Sequence, residues 1–302
     1  LYAKWEEILL PLLELDEYDV KYIVTTPGED ASNTFLINYQ TKNIKTSLEY
    51  TTVDDLKFEQ AKVAYPNMKA FEMLGEEMEK PFERRNVCKV TLTDLFPNSE
   101  YIYRINKGDN TYSDIYYFET SGNDAKTSFL FMTDIHYYDV GDGAEVSEVV
   151  INKALEIQPN IKFLLTTGDI IDTGGNSDDW EKHFSKAESF KYLPYVGVPG
   201  NHEHYQKGPM MGAMQNKVYT SYYHNPQNGI EVYKGASYYF IHNDTLFIQI
   251  DTDSPYNQGD QLKWLEQVLI DNPTKFVIVG THAPVNEAGT DYNRPFMEVL
   301  EK

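Results

Sequence analysis

Residues 129–136 read FLFMTDIH, and the change of character inside that octet decides the fold. Phe129, Leu130, Phe131 and Met132 form the kind of apolar run expected of a strand covered on both faces. Asp134 and His136 follow at once, and on an extended chain side chains two residues apart point the same way. Further apolar runs end alike: LLTTGDIID closes on Asp169 and Asp172, VGVPGNHEH on Asn201, His202 and His204, and VIVGTHAPV on His282. One acid at a strand end is an ordinary cap or loop residue. A series of such ends, all carrying carboxylate, amide or imidazole, is instead a donor set for divalent transition metals, which a carboxylate can bridge. Gly168 and Gly200, just before two of the acids and amides, let the backbone turn tightly beside a bound ion.

Outward from these motifs the second half of the chain alternates strand, loop and helix. FLFM, KFLLTT, PYVGV, LFIQI and KFVIVG read as strands covered on both faces. Three helical stripes lie between them: Val146, Val149, Val150, Ala154 and Ile157; Trp180, Phe184 and Ala187; Leu262, Leu265 and Leu269. This half is α/β, and strand-end loops of such sheets gather at one edge, where ligands bind. The first half has a different rhythm. Phe35, Ile37 and Tyr39 alternate in TFLINYQ, as do Tyr101, Tyr103 and Ile105 in EYIYRIN, and turn clusters such as TTPGEDASN and FPNSE separate the runs. About seven such strands in roughly 100 residues fit a β-sandwich. SGNDAKT, Ser121 to Thr127, reads as the linker, and Leu1 to Asp16 as an amphipathic helix.

Composition narrows the function. With 26 Lys and Arg against 47 Asp and Glu the net charge is −21, which argues against a protein that coats nucleic acid. A small anionic substrate is compatible if metal ions supply local positive charge. No window reaches the ~18 apolar residues of a transmembrane helix. The single cysteine, Cys88, alternates with Val90 and Leu92 and reads as a buried strand residue. His183 reads as a surface residue on a helix, and His242 as a hairpin-turn residue.

The order Asp-x-His, Gly-Asp-x-x-Asp, Gly-Asn-His-Glu and Gly-Thr-His resembles that of the calcineurin-like metallophosphoesterases, and the whole chain resembles their purple acid phosphatase branch. PGEDASNTFLINYQT and VTLTDLFPNSEYIYRI are similar to that branch's N-terminal fibronectin type III-like domain; YYHNPQNG, SYYFIHNDTLFIQIDTDS and QLKWLEQVL are similar to its catalytic half. The resemblance implies an all-β sandwich over residues 17–121 and an α/β metallophosphoesterase domain over 126–302. It implies two metal ions, manganese, iron or zinc. Asp134, His136 and Asp169 would hold the first, and Asp169, Asn201 and His282 the second, with Asp169 between them. The implied reaction is hydrolysis of a small phosphate ester by a hydroxide shared between the ions. His202 would contact the phosphate and protonate the leaving group. A secreted or cell-surface location comes with the resemblance.

The chain departs from the branch's pattern at several points. Asp172 stands where purple acid phosphatases have the tyrosine that colours them, and Asp-Ile-His replaces their Asp-x-Gly, so iron is not obligatory as the first metal. Where the family often has phosphate-holding histidines before a Phe-Met-Glu-like segment, this chain has NRPFME; Arg294 reads either as a phosphate-gripping substitute or as a surface charge at a helix start. His204 reads equally as a substrate contact or a solvated loop residue. The family's closing Gly-His-x-His, which adds an imidazole to each ion, is expected beyond Lys302, and the chain reads as incomplete there. The alternative to an enzyme is a binding or adhesion protein that carries a decayed phosphatase domain.

Overall fold

The computed structural model describes residues 19–75, 78–108, 111–122, 126–136, 143–207, 216–253, 258–284 and 294–301. The helix expected over Leu1–Asp16 and the centre of the linker lie outside the described residues.

Among the described residues the N-terminal half is a sandwich of nine strands, β1 (Val20–Pro27), β2 (Phe35–Thr41), β3 (Ser47–Thr52), β4 (Lys62–Ala64), β5 (Asn67–Phe71), β6 (Arg85–Leu92), β7 (Glu100–Gly108), β8 (Thr111–Tyr112) and β9 (Tyr116–Glu119). One sheet runs β1-β2-β6-β5 and the other β4-β3-β7-β8, with β9 also on β7. The period-two pattern sets which face is inside: Phe35, Ile37, Tyr39, Cys88, Val90, Leu92, Tyr101, Tyr103 and Ile105 share one core. Cys88 is fully buried there, and burial pushes its thiol up to about 12, so it packs as a small apolar residue.

The opposite face of the first sheet is the join to the second half. Tyr22, Val24, Phe71, Phe82 and Val87 pack into one cluster with Trp180, Phe190, Tyr195, Tyr219, Tyr222 and Tyr223. Trp180 stacks on Tyr222 at 4.2 Å, Arg85 donates to the Tyr222 hydroxyl at 2.9 Å, and its guanidinium lies 4.7 Å above the Tyr22 ring. Fixed aromatic and cation contacts of this kind make the sandwich a wall of the α/β half.

That half contains two small sheets. Strands β10 (Leu130–Met132), β11 (Leu164–Thr166) and β12 (Tyr195–Gly197) are parallel and neighbour one another in that order. β13 (Tyr238–His242) and β14 (Thr245–Ile250) form an antiparallel hairpin, and β15 (Phe276–Thr281) runs parallel to β14. The helices in chain order are α1 (Gly143–Ile157), α2 (Ser177–Phe184), α3 (Asn201–His204), α4 (Tyr219–Tyr222), α5 (Gln258–Asp271) and α6 (Arg294–Leu300). Leu246, Ile248 and Ile250 of β14 pack on Leu265, Val268 and Phe296 of α5 and α6, while Phe247 faces Phe163, Leu165 and Val196 between the sheets.

Several expectations are corrected. β11, β12 and β14 are buried throughout, but Phe131 of β10 and Phe276 and Val277 of β15 are exposed, because these strands are outermost in their sheets among the described residues. The Val146, Val149, Val150 and Ile157 stripe of α1 faces outward; the helix instead buries Ala144, Ser147 and Ile151. Both stripes have helical spacing, and the packing surface chose the one with smaller side chains. His183 is buried against Phe184 and Phe190 rather than exposed. His242 is the last residue of β13, its ring buried and Nδ1 3.1 Å from the Thr127 hydroxyl.

Burial, and next the Lys89 cation, pulls His224 down to about 3; burial, and next Lys162, pulls His242 down to about 4. An unfolded histidine titrates near 6.5. Above that pH neither ring is charged in either state. Below it the unfolded chain takes up protons that the folded chain refuses, so stability falls as pH drops from about 6.5 towards 4. Thermal unfolding at a series of pH values should show this loss, and a His224→Gln, His242→Gln double variant should lose less melting temperature between pH 6.5 and 5.

Candidate metal centre

The strand-end loops of the first parallel sheet meet backbone to backbone. Gly168 adopts φ +101, and a Cβ there would lie 2.5 Å from the Gly200 nitrogen, while a Cβ on Gly200 would lie 2.2 Å from Asp169 Oδ1. Only glycine fits at either point. Asp134 and Asp169 sit at φ 51 and 52, a conformation that costs of order 1–3 kcal/mol and concentrates at functional sites. Cross-loop hydrogen bonds hold it: Asp134 donates its N–H to Gly168 O at 3.2 Å, and His136 donates to Asp169 O at 3.0 Å.

Glu203 ties the remaining backbone. Its buried carboxylate accepts from the amides of Asp169 at 2.9 Å, Ile170 at 2.7 Å, Ile171 at 3.2 Å and Gly200 at 2.6 Å. Burial, and next the Asp169 charge, raises its pKa against the lowering effect of the amides. Sequence reading gave Glu203 no role, although its place three residues past Gly200 is the position from which a carboxylate caps the turn it starts.

Around this frame the donors converge. Atoms of Asp134, Asp169 and His282 lie within 4.8 Å of one another, and so do atoms of His136, Asp169 and His202. Asp169 belongs to both groups. His282 Nε2 lies 3.3 Å from Asp169 Oδ2 and 2.9 Å from Asn201 Oδ1, with its Nδ1 2.8 Å from Thr167 O. Asn201 donates its amide to the Tyr205 hydroxyl at 2.6 Å, which turns the oxygen towards His282. His136 Nδ1 lies 2.8 Å from Asp172 Oδ1, a carboxylate–histidine arrangement of the kind that fixes the tautomer of a metal ligand. His202 donates its N–H to Asp169 Oδ1 at 3.0 Å, its Nδ1 lies 2.6 Å from Asp172 O, and its ring is 4.3 Å from that of His136. The grouping differs from the expected ligand sets, since Asp134 falls with His282 and His136 with His202.

The electrostatics fit a cation. Burial works against protonation of His282, but the hydrogen bond and charge of Asp169, with Asp253 and Glu203 behind, raise it to about 9. Burial likewise opposes ionisation of Asp169, which His282 and the His202 amide nevertheless hold below the usual carboxylate value. Oxygen and imidazole donors of this mixture suit divalent transition metals.

Two residues expected as substrate contacts, His204 and Arg294, have partners of their own. His204 is neither solvated nor open to a ligand: it is 1% exposed, with Nε2 3.3 Å from Asp251 Oδ1. Its ring is held in the core by Asp251 although Asn201 is only three residues earlier on the same short helix. Arg294 is exposed in the first turn of α6 with the Glu298 carboxylate 3.6 Å away, the arrangement of a surface pair.

A sandwich followed by an α/β domain with a shared-carboxylate donor cluster at its strand ends defines a metal-binding hydrolase class. The chain belongs to the calcineurin-like phosphoesterase family, which it matches over residues 127–302, and residues 20–120 match the purple acid phosphatase N-terminal domain. Among solved structures it is similar to purple acid phosphatase PPD1 from yellow lupin (Lupinus luteus) seeds, at 14% identity and TM-score 0.70, covering 88% of this chain and 51% of that one. The chain thus spans about half the length of that protein, and the likeness is one of fold. A sensor domain of the anti-sigma factor RsgI4 from Pseudobacteroides cellulosolvens aligns at 19% identity over 37% of this chain and 99% of that one, but with TM-score 0.23 it supports no argument. Comparison with curated proteins yields no match.

Glu203→Gln should expose the importance of the carboxylate frame. The amide end of glutamine puts a donor where two loop amides need an acceptor, and each buried donor left unsatisfied costs about 1–3 kcal/mol. Denaturant unfolding of the metal-free protein should show a lowered midpoint with an unchanged slope.

Proposed function

We propose that this chain is the catalytic part of a phosphoesterase that uses two metal ions to hydrolyse a small phosphate ester. The observation that carries the reading is the membership of Asp169 in both donor groups, with Asp134 and His282 on one side and His136 and His202 on the other. Asp134, His136, Asp169, Asn201 and His282 would hold the ions. Bound there, manganese, iron or zinc would supply a nucleophilic water at neutral pH and offset charge on the phosphoryl oxygens. Aspartate at 172 gives no tyrosinate, which supports an uncoloured centre.

The protein's own groups then divide the remaining work. Asp169 keeps its charge between the two donor groups and limits the repulsion of two cations. His202, anchored through Nδ1 by the Asp172 carbonyl, presents Nε2 3.9 Å from Asp169 Oδ2, at the edge of the cluster. From that place it donates a proton to the departing alkoxide, a contribution typically worth about 10² to 10⁴ in rate. Arg294, beyond its pairing with Glu298, is not needed by this scheme. Among the described residues no helix is long and apolar enough to cross a membrane. The family resemblance suggests a secreted or cell-surface setting.

Paired variants of the full-length protein test the assignment. Asp169→Asn should release metal and abolish hydrolysis of a chromogenic phosphate ester, because a neutral amide bridges cations poorly. His202→Ala should keep its metal content while losing about 10² or more in rate. Equal metal loss in both would make His202 a ligand and remove it as the general acid.

A further inference from the structure

The buried pair His204–Asp251 has no part in the scheme above. His204 is 1% exposed and Asp251 1%, and their contact of 3.3 Å links helix α3, which follows the first parallel sheet, to the end of β14 in the second. Asp251 is held from several directions. Its Oδ2 accepts from Asn216 Nδ2 at 2.9 Å, its Oδ1 from the Asp253 amide at 3.1 Å, its own N–H donates to Ser237 Oγ at 2.9 Å, and its carbonyl accepts from Gln261 Nε2 at 2.9 Å. A side chain so encircled is a fixed post, and His204 is fastened to it.

What hangs on either side of the pair are the two halves of one donor set. His204 is the fourth residue of α3, whose first residue is Asn201. On the other side, Thr252, next to Asp251, accepts the N–H of Ala283 through its Oγ1 at 3.4 Å, and Ala283 follows His282. The path His204–Asp251–Thr252–Ala283 therefore runs from the element that carries Asn201 to the loop that carries His282. Those two residues meet at 2.9 Å although they follow strands of different sheets.

We infer that His204 and Asp251 are positioning residues that lock the loop of the first sheet to that of the second, and so set the Asn201–His282 spacing on which one of the two metal positions depends. The backbone of His136 and Asp169 is held by the cross-loop bond between them and by Glu203, within the first sheet's own loops, and does not need the lock. Loss of the pair therefore weakens one ion selectively. The inference rests on the two-metal reading, and its test separates the two.

The test is a manganese titration, followed calorimetrically, of the full-length protein with His204 as it stands, with His204→Gln and with His204→Leu. Glutamine keeps an N–H donor near the position of Nε2; leucine does not. In the leucine variant one ion should bind at least about tenfold more weakly and the other unchanged, the size usual for loss of support behind a ligand. Glutamine should restore most of the difference. Equal weakening of both ions in the two variants, or no weakening, overturns the inference. If leucine prevents folding, Asp251→Asn, which keeps an acceptor for Asn216 and Asp253, is judged by the same selectivity. If the unaltered protein takes up no manganese, the two-metal reading fails, and crystal structures of the metal-free proteins decide the lock by itself. An Asn201–His282 contact still at 2.9 Å in the His204→Leu variant would sink it.

Discussion

The constraint on which the centre depends is the burial of Glu203 among backbone amides. A carboxylate removed from water is costly unless its oxygens are satisfied, and here backbone N–H groups from two loops supply the bonds. The bargain is mutual, because those amides lie in turns that have no ladder to join. Gly168 and Gly200 then bring the same loops to van der Waals contact, and Asp134 and Asp169 accept a left-handed backbone because the hydrogen bonds around them leave no other arrangement. The result is a rigid rim of donors at the end of a sheet whose strands are only three residues long.

Such a rim is electrostatically unfinished without a cation. Asp134, Asp169, Asp172, Asp253 and Glu203 crowd one region of a chain already at −21. Burial lifts Asp253 to about 6, and the acids hold His282 up at about 9. Metal ligation requires deprotonated donors, so metal uptake and acid–base state are linked in a site of this kind. The sandwich contributes at a distance. Its aromatic face holds Trp180 and Tyr222, and the α2 region they anchor follows directly on Asp172, the carboxylate that orients His136.

Much of this was legible in the chain. The alternation in β2 and β7 and the unbroken apolar runs of β11 and β14 carry their class in their periods, since a side chain's face is set by position along a strand. That Asp134, His136, Asp169, Asn201 and His282 would come together at one edge was legible as an expectation, because potential metal-ligating atoms recur after the apolar runs. Glu203, His204 and Asp251 were not legible in the same way. Their roles depend on what faces them, and Asp251 lies 47 residues from its partner. Helix α1 shows the same limit: two stripes of equal period compete, and only the surface it packs against selects Ala144, Ser147 and Ile151.

The sequence by itself determined the chemistry and the order of the parts: a β-rich half, an α/β half, and oxygen and nitrogen donors after its strands. Those properties are local, fixed by residue type and by spacing over a few positions. Tertiary structure decided which donors share a cluster, placing Asp134 with His282 and His136 with His202, and which histidines are core and which are site. It alone decided that His204 turns inward to Asp251 while His202, two residues earlier on the same short helix, turns to Asp172 and Asp169. The physical reason is that packing against a second sheet and hydrogen bonding across loops act between residues far apart in the chain, and no local pattern records them.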